Sequence, residues 1–146
     1  MGRSGESTAT PAVAFDTDVL IAWFRGDERA KAFLARVPRS HRAVPSIVVM
    51  ELLQGCRSRA ETEPVRAFID ENFSATLYPS ERIARRAEEL LAEHAAAHGL
   101  RVADALIAAT AIDARCTLAT GNARHYRVIK MLKLRRFRAR PRAVPG

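Results

Sequence analysis

With 146 residues, 48% of them apolar, the chain suits a single domain large enough for a real core. No stretch reaches the ~18 consecutive apolar residues of a membrane span, and the opening MGRSGESTATPA has no apolar signal-peptide core, so a membrane protein and a secreted one are set aside for a cytoplasmic one. The net charge of +8 is segregated: residues 1–113 hold 14 basic and all 16 acidic residues, a net of −2, while the last 33 hold ten basic and no acidic residues, a net of +10. Such a block favours a polyanion such as nucleic acid, the alternatives being a solubilising tail or a site for an acidic partner.

There is no internal repeat and no low-complexity linker. Residues 1–11 read as a disordered arm, 12–141 as one folded domain and 142–146 as a flexible end. AVAFD is a short buried strand that stops at Asp16, and TDVLIAWFRG is a helix stopped by Gly26. ERAKAFLARV is a second helix, with Ala30, Phe33, Leu34 and Val37 at helical spacing. RAVPS is a brief strand. SIVVMELLQG then reads as a helix of about two turns, N-capped by Ser46 and closed by Gly55. EPVRAFIDENF is a helix with Pro64 near its first turn, and SATLYP is a strand. Ser80 caps a long helix that Gly99 ends. ADALIAATAIDAR is a further helix, CTLAT a strand, and GNARHY its turn. LKLRRF alternates as an edge strand with one wet face would. Strands alternating with helices imply a mainly parallel sheet covered on both faces, with ligand sites beyond the carboxyl ends of the strands.

The acids stand out against that frame. Glu51 sits on a short helix that is apolar nearly all round, within roughly 60° of both Ile47 and Val48. A buried carboxylate needs a partner or must neutralise. Either one of the many arginines pairs with it, or its end of the helix is exposed, or it faces a site that holds a cation. Asp16, at a strand end and helix start, is an N-cap or a ligand group. Asp18 flanks the same place or only favours the helix N-terminus. Asp104 shares a small-residue face with Ile107, Ala108 and Ala111, where it serves the helix dipole or a site. Asp113, beside Arg115, reads as solvated surface. Thr120 ends a strand before Gly121 and Asn122, and these hydroxyl and amide groups can orient a water or a phosphate.

If these positions converge at one sheet edge, their carboxylates repel and cannot all stay ionised unaided. A hard divalent cation such as Mg²⁺ or Mn²⁺ resolves the repulsion, favours oxygen ligands, and can activate a bound water. With a basic surface nearby, that combination describes a metal-dependent nuclease.

FDTDVLIAWFRGD, PSIVVMELLQG, LRVADALIAATA and LATGNARHYRVI, in this order over about residues 12–140, resemble the motifs of PIN-domain ribonucleases of the VapC toxin type. The resemblance implies a PIN-like three-layer α/β/α fold with a mainly parallel central sheet. It implies that Asp16, Glu51 and Asp104 are the core acids that hold the metal, Mg²⁺ or Mn²⁺. Many members carry a further acid where Asn122 or His125 stands here, so Asn122 takes the fourth catalytic position. Asp18, Thr120 and His125 are possible supporting residues. The implied activity is endonucleolytic hydrolysis of RNA that leaves a 3′-hydroxyl and a 5′-phosphate. The implied partners are a second copy in a homodimer and a cognate antitoxin, in a heterotetramer or larger assembly. A housekeeping RNA-processing nuclease without antitoxin and a catalytically silent nucleic-acid-binding module are the rival readings.

Other constellations carry less. His94 and His98 lie one helical turn apart but lack a third zinc ligand. His41 reads as loop surface. Trp23 and Phe24 read as core or dimer contacts. Cys56 and Cys116, 60 positions apart, form no CxxC pair and no disulfide framework, so they read as reduced core residues.

Overall fold

A computed structural model describes residues 11–141; the expected N-terminal arm, but for Pro11, and the flexible C-terminal end lie outside the described residues. The chain enters through β1 (Val13–Phe15), all three residues of which are buried. Asp16 caps α1 (Thr17–Phe24), accepting the Thr17 N–H at 2.8 Å. Asp27 does the same for α2 (Glu28–Ala35) through the Arg29 N–H at 2.9 Å. A single 3₁₀ turn, Arg39–His41, leads into β2 (Arg42–Pro45).

The helix α3 (Ser46–Gln54) follows with no loop. Ser46 is therefore its first residue and not its cap; Pro45, extended at φ −63° and ψ 140°, takes the cap position and makes no side-chain bond there. The next helix, α4 (Arg59–Asn72), starts after Ser58 and not at Glu63, so Pro64 sits inside it and not in its first turn. A proline there removes one backbone bond. Burial of Val65, Phe68 and Ile69 holds the helix together regardless.

After β3 (Ala75–Leu77), Ser80 accepts the Ile83 N–H at 3.2 Å and starts α5 (Glu81–His98). Gly99 ends it in the left-handed region, at φ 70°, where an L side chain would be strained. Then come α6 (Val102–Asp113), β4 (Thr117–Thr120), a single-turn helix α7 (Ala123–Tyr126) where only a turn was expected, and β5 (Leu134–Arg136). Asp113 is not free surface: it accepts the Arg82 Nε at 2.7 Å, with its side chain 23% exposed. The expected small-residue burial of α6 holds, with Ala105 and the run Ile107–Ala111 buried.

The five strands form one all-parallel sheet in the order β3-β2-β1-β4-β5. The chain steps outward from β1 through β2 to β3, then returns across β1 to β4 and β5. With right-handed crossovers, a chain that steps one way along a parallel sheet and then back lays helices on both faces. The order reverses between β1 and β4, and beyond their carboxyl ends an open parallel sheet leaves its ligand crevice. Phe15 pairs with Ala119 in register, so Asp16 and Thr120 leave the sheet side by side. Among the described residues, no helix is long and apolar enough to cross a membrane.

Candidate active site

The crevice is built from four elements. From β1 and β4 come Asp16 and Thr120. The Asp16 N–H donates to the Ala119 carbonyl at 2.9 Å, which extends the strand pairing one residue into the crevice. The fully buried Thr120 hydroxyl donates to Asp16 Oδ2 at 2.7 Å and accepts the Asn122 N–H at 2.9 Å. Asp16 thus caps α1 with one oxygen and takes the Thr120 hydroxyl with the other. The cap and site readings of this residue both hold.

From α3 comes Glu51, half-buried, with Oε1 accepting the Thr17 hydroxyl at 2.6 Å. Its partner is the first residue of α1, next to Asp16, and not an arginine. From α6 comes Asp104, whose Oδ2 accepts its own helix's Arg101 N–H at 3.1 Å and lies 3.0 Å from His125 Nε2. Its Oδ1 is the less engaged oxygen, with the Tyr126 hydroxyl 3.5 Å away.

Tyr126 was not singled out in the sequence. It is 1% exposed, and its hydroxyl lies among Asp16, Asp104 and Asp18. Burial first, then the Asp16 and Asp104 carboxylates, push that phenol far above its ordinary range, so it is a permanent donor. A buried tyrosine needs a partner for its hydroxyl, and that is the only signal the sequence held.

Asp18 stands at the rim with Oδ1 buried and without a hydrogen-bond partner. Burial raises its pKa, and the backbone N–H groups of Gly121 and Val19 partly offset this. Gly121 lets Asp18 come this close: a Cβ there would fall 2.6 Å from Asp18 Oδ2, so any larger residue displaces that carboxylate. Asn122 is exposed and enters the site through its backbone N–H. Asp16 is pushed up to about 6, from 3.8, by burial and then by the Asp18 carboxylate. The hydrogen bonds from Thr120, Thr17 and Tyr126 pull it back only in part.

Among the described residues, no lysine or arginine is ion-paired to Asp16, Asp18, Glu51 or Asp104. The donor set is carboxylate and hydroxyl oxygen with one imidazole, and an orphaned carboxylate oxygen lies beside it. That chemistry fits a hard divalent cation. As the side chains stand, no three His, Cys, Asp or Glu among the described residues close to ligating distance. His94 and His98, with ring centres 5.7 Å apart, likewise gain no third ligand.

An all-parallel sheet of this order, with acids after β1 and on α3 and α6 near its reversal point, is the architecture of a PIN domain. The family model for the PIN domain matches residues 13–131, and the chain belongs to that family. Ribonuclease VapC10 of Mycobacterium tuberculosis is 34% identical over 137 residues, covering 92% of this chain and 96% of that one. A toxin–antitoxin complex from Klebsiella pneumoniae contains a chain of the same fold, with TM-score 0.70 and 30% identity, over 83% of this chain and 95% of that one. VapBC2 from Rickettsia felis, bound to a DNA fragment from its promoter, shares the fold at TM-score 0.71 and 21% identity, over 87% and 99% of the two chains.

Proposed function

We propose that this chain is a divalent-metal-dependent endoribonuclease, the toxin of a toxin–antitoxin pair, with its nuclease domain spanning residues 12–141. One observation carries the reading: Asp16, Asp18, Glu51 and Asp104 lie around the carboxyl ends of β1 and β4 with no lysine or arginine among the described residues paired to them, in a chain with 24 such residues. The likeness to a VapC ribonuclease and to a chain of a toxin–antitoxin complex supports it.

In this reading Asp16, Glu51 and Asp104 hold Mg²⁺ or Mn²⁺, with Asp18 at the rim. The bound cation supplies Lewis acidity toward the phosphate and makes water a nucleophile near neutral pH. The chain's own groups set the geometry. Thr120 and the Thr17 N–H fix the two oxygens of Asp16. The Thr17 hydroxyl aims Glu51. Arg101 N–H and His125 hold Asp104 Oδ2, which leaves Oδ1 toward the crevice. Tyr126, held protonated, has one hydroxyl proton to share between Asp16 and Asp104 Oδ1. Asn122, through its N–H, keeps Thr120 oriented. The products are a 3′-hydroxyl and a 5′-phosphate.

A cavity of about 500 Å³ opens beside Glu51, between α1, α3 and α4, lined by Ile21, Phe24, Leu52 and Val65. Ile21 and Phe24 are 38% and 40% exposed. An amphipathic antitoxin segment suits this groove and would bring a basic side chain to the acids. We assign the protein to the cytoplasm, as a homodimer that pairs with antitoxin.

Purified protein, incubated with a panel of structured RNAs under Mg²⁺, Mn²⁺ or EDTA, tests the activity. Cleavage with either metal, none with EDTA, and 5′-phosphate products are expected. An antitoxin-free preparation that cuts no RNA with either metal would sink the reading.

A further inference from the structure

Two arginines of the basic C-terminal block meet two from the first part of the chain. Four of the chain's arginines line one groove between α2 and β5: Arg29 and Arg36 on the helix side, Arg136 and Arg138 on the strand side. The groove has a volume of about 360 Å³, and no acidic residue lines it. Arg29 and Arg36, the latter capping the carboxyl end of α2, are seven positions apart and so lie on one side of it. All four are exposed, and among the described residues none is ion-paired to a carboxylate. Arg29 Nη1 donates to the Ala139 carbonyl at 3.4 Å, and four like charges lining one groove favour a polyanion.

The groove joins the candidate active site through Phe137, which lines its floor. The Phe137 N–H donates to the Thr120 carbonyl at 2.8 Å, and a Cβ on Gly121 would come within 3.5 Å of the Phe137 ring. The far wall is anchored as well. The Arg140 N–H donates to Asp27 Oδ2 at 2.9 Å, which ties the segment after β5 to the start of α2.

We propose that the groove between α2 and β5 binds the phosphate backbone of an RNA strand beyond the scissile bond, through Arg29, Arg36, Arg136 and Arg138. The inference rests on the nuclease reading for its substrate. The ligand class is a single-stranded ribose–phosphate chain, because fork-shaped guanidinium groups match phosphate oxygens and the half-buried Phe33 offers the groove an aromatic surface. The groove reads backbone and not sequence.

The test measures RNA binding in EDTA, so that nothing is cut, as a function of salt. The probes are single-stranded RNAs of roughly 20 and about 6 nucleotides, chosen around the 4–16-nucleotide footprints usual for single-strand grooves. The variant is the double Arg36→Ala/Arg136→Ala. The equal-charge control is Arg86→Ala/Lys130→Ala, on a different cavity beside α5. For the long RNA, the groove variant should bind about tenfold more weakly, with a slope of log affinity against log salt shallower by about 1.4. The control should match wild type, and the groove variant should lose less affinity for the short RNA than for the long one.

Equal losses in groove variant and control would overturn the proposal, since only total charge would matter. An unchanged groove variant would overturn it too. A groove variant that binds RNA normally but no longer holds its antitoxin would give the groove to an acidic protein instead. If wild type cuts nothing, the nuclease reading fails, while the salt slopes still decide whether the groove holds RNA.

Discussion

The two ends of α6 carry similar acids in opposite circumstances. Asp113, at the carboxyl end, has a side chain 23% exposed and an arginine at 2.7 Å. Asp104, in the first turn, has a side chain 22% exposed and no arginine or lysine paired to it. Its partners are a backbone N–H, a histidine ring and a buried tyrosine. Burial alone therefore does not mark a site. Asp113 takes the arginine that this arginine-rich chain offers it. Among the described residues, Asp16, Asp18, Glu51 and Asp104 find none at the point where the strand order reverses, which is the pattern the proposed cation site rests on.

Substituting the two acids in turn breaks the comparison most sharply. Asp104→Asn keeps the backbone cap, because an amide oxygen still accepts the Arg101 N–H, but removes the charge. Cleavage should fall by more than about 100-fold, beyond the 10–100-fold that changes one layer further out usually cost. Asp113→Asn should leave cleavage unchanged and cost less than about 1 kcal/mol in thermal unfolding, as an ion pair with a well-exposed arginine does.

Asp16 sharpens the contrast through pH. Its folded pKa of about 6 lies above its ordinary 3.8. Between those values the folded state binds the extra proton, so stability falls as pH rises through the window, by at most roughly 3 kcal/mol. Melting in EDTA should show the metal-free protein losing stability from about pH 4 to pH 6, with Asp16→Asn abolishing much of the slope and melting higher than wild type at pH 7. A flat wild-type profile would mean that Asp16 is already neutralised by a group within the chain.

Tyr126→Phe should lower metal affinity about tenfold and cost about 1 kcal/mol, by calorimetric titration and melting respectively. Gly121→Ala has the smallest expected effect. Its methyl would push Asp18 aside, so a several-fold loss of metal affinity is expected with an almost unchanged melting temperature.

Much of this was legible in the sequence, for reasons that particular residues make plain. Asp16 and Ser80 stand at helix starts, and Gly99 at a helix end, where local chemistry dictates the backbone. The strand–helix alternation fixed the fold class, and the motif order pointed to the acids. What stayed hidden depends on contacts distant in sequence. Asp113 looked solvated because Arg82 lies 31 positions away on another helix. Glu51 invited an arginine, and its actual partner, Thr17, is 34 positions distant. Tyr126 drew no notice, since nothing local says that α7 turns its hydroxyl toward Asp16 and Asp104. Pro64 suggested a helix start because its cost is local, whereas the burial that overrides it is not.

The central claim is that the crevice withholds its own cations in order to hold a divalent one. Mn²⁺ binding, followed by electron paramagnetic resonance on wild type, Asp104→Asn and Asp113→Asn, tests it without any RNA. The account predicts that wild type and Asp113→Asn bind alike, and that Asp104→Asn, still folded, loses the ion. Equal binding by all three, or by none, would contradict it.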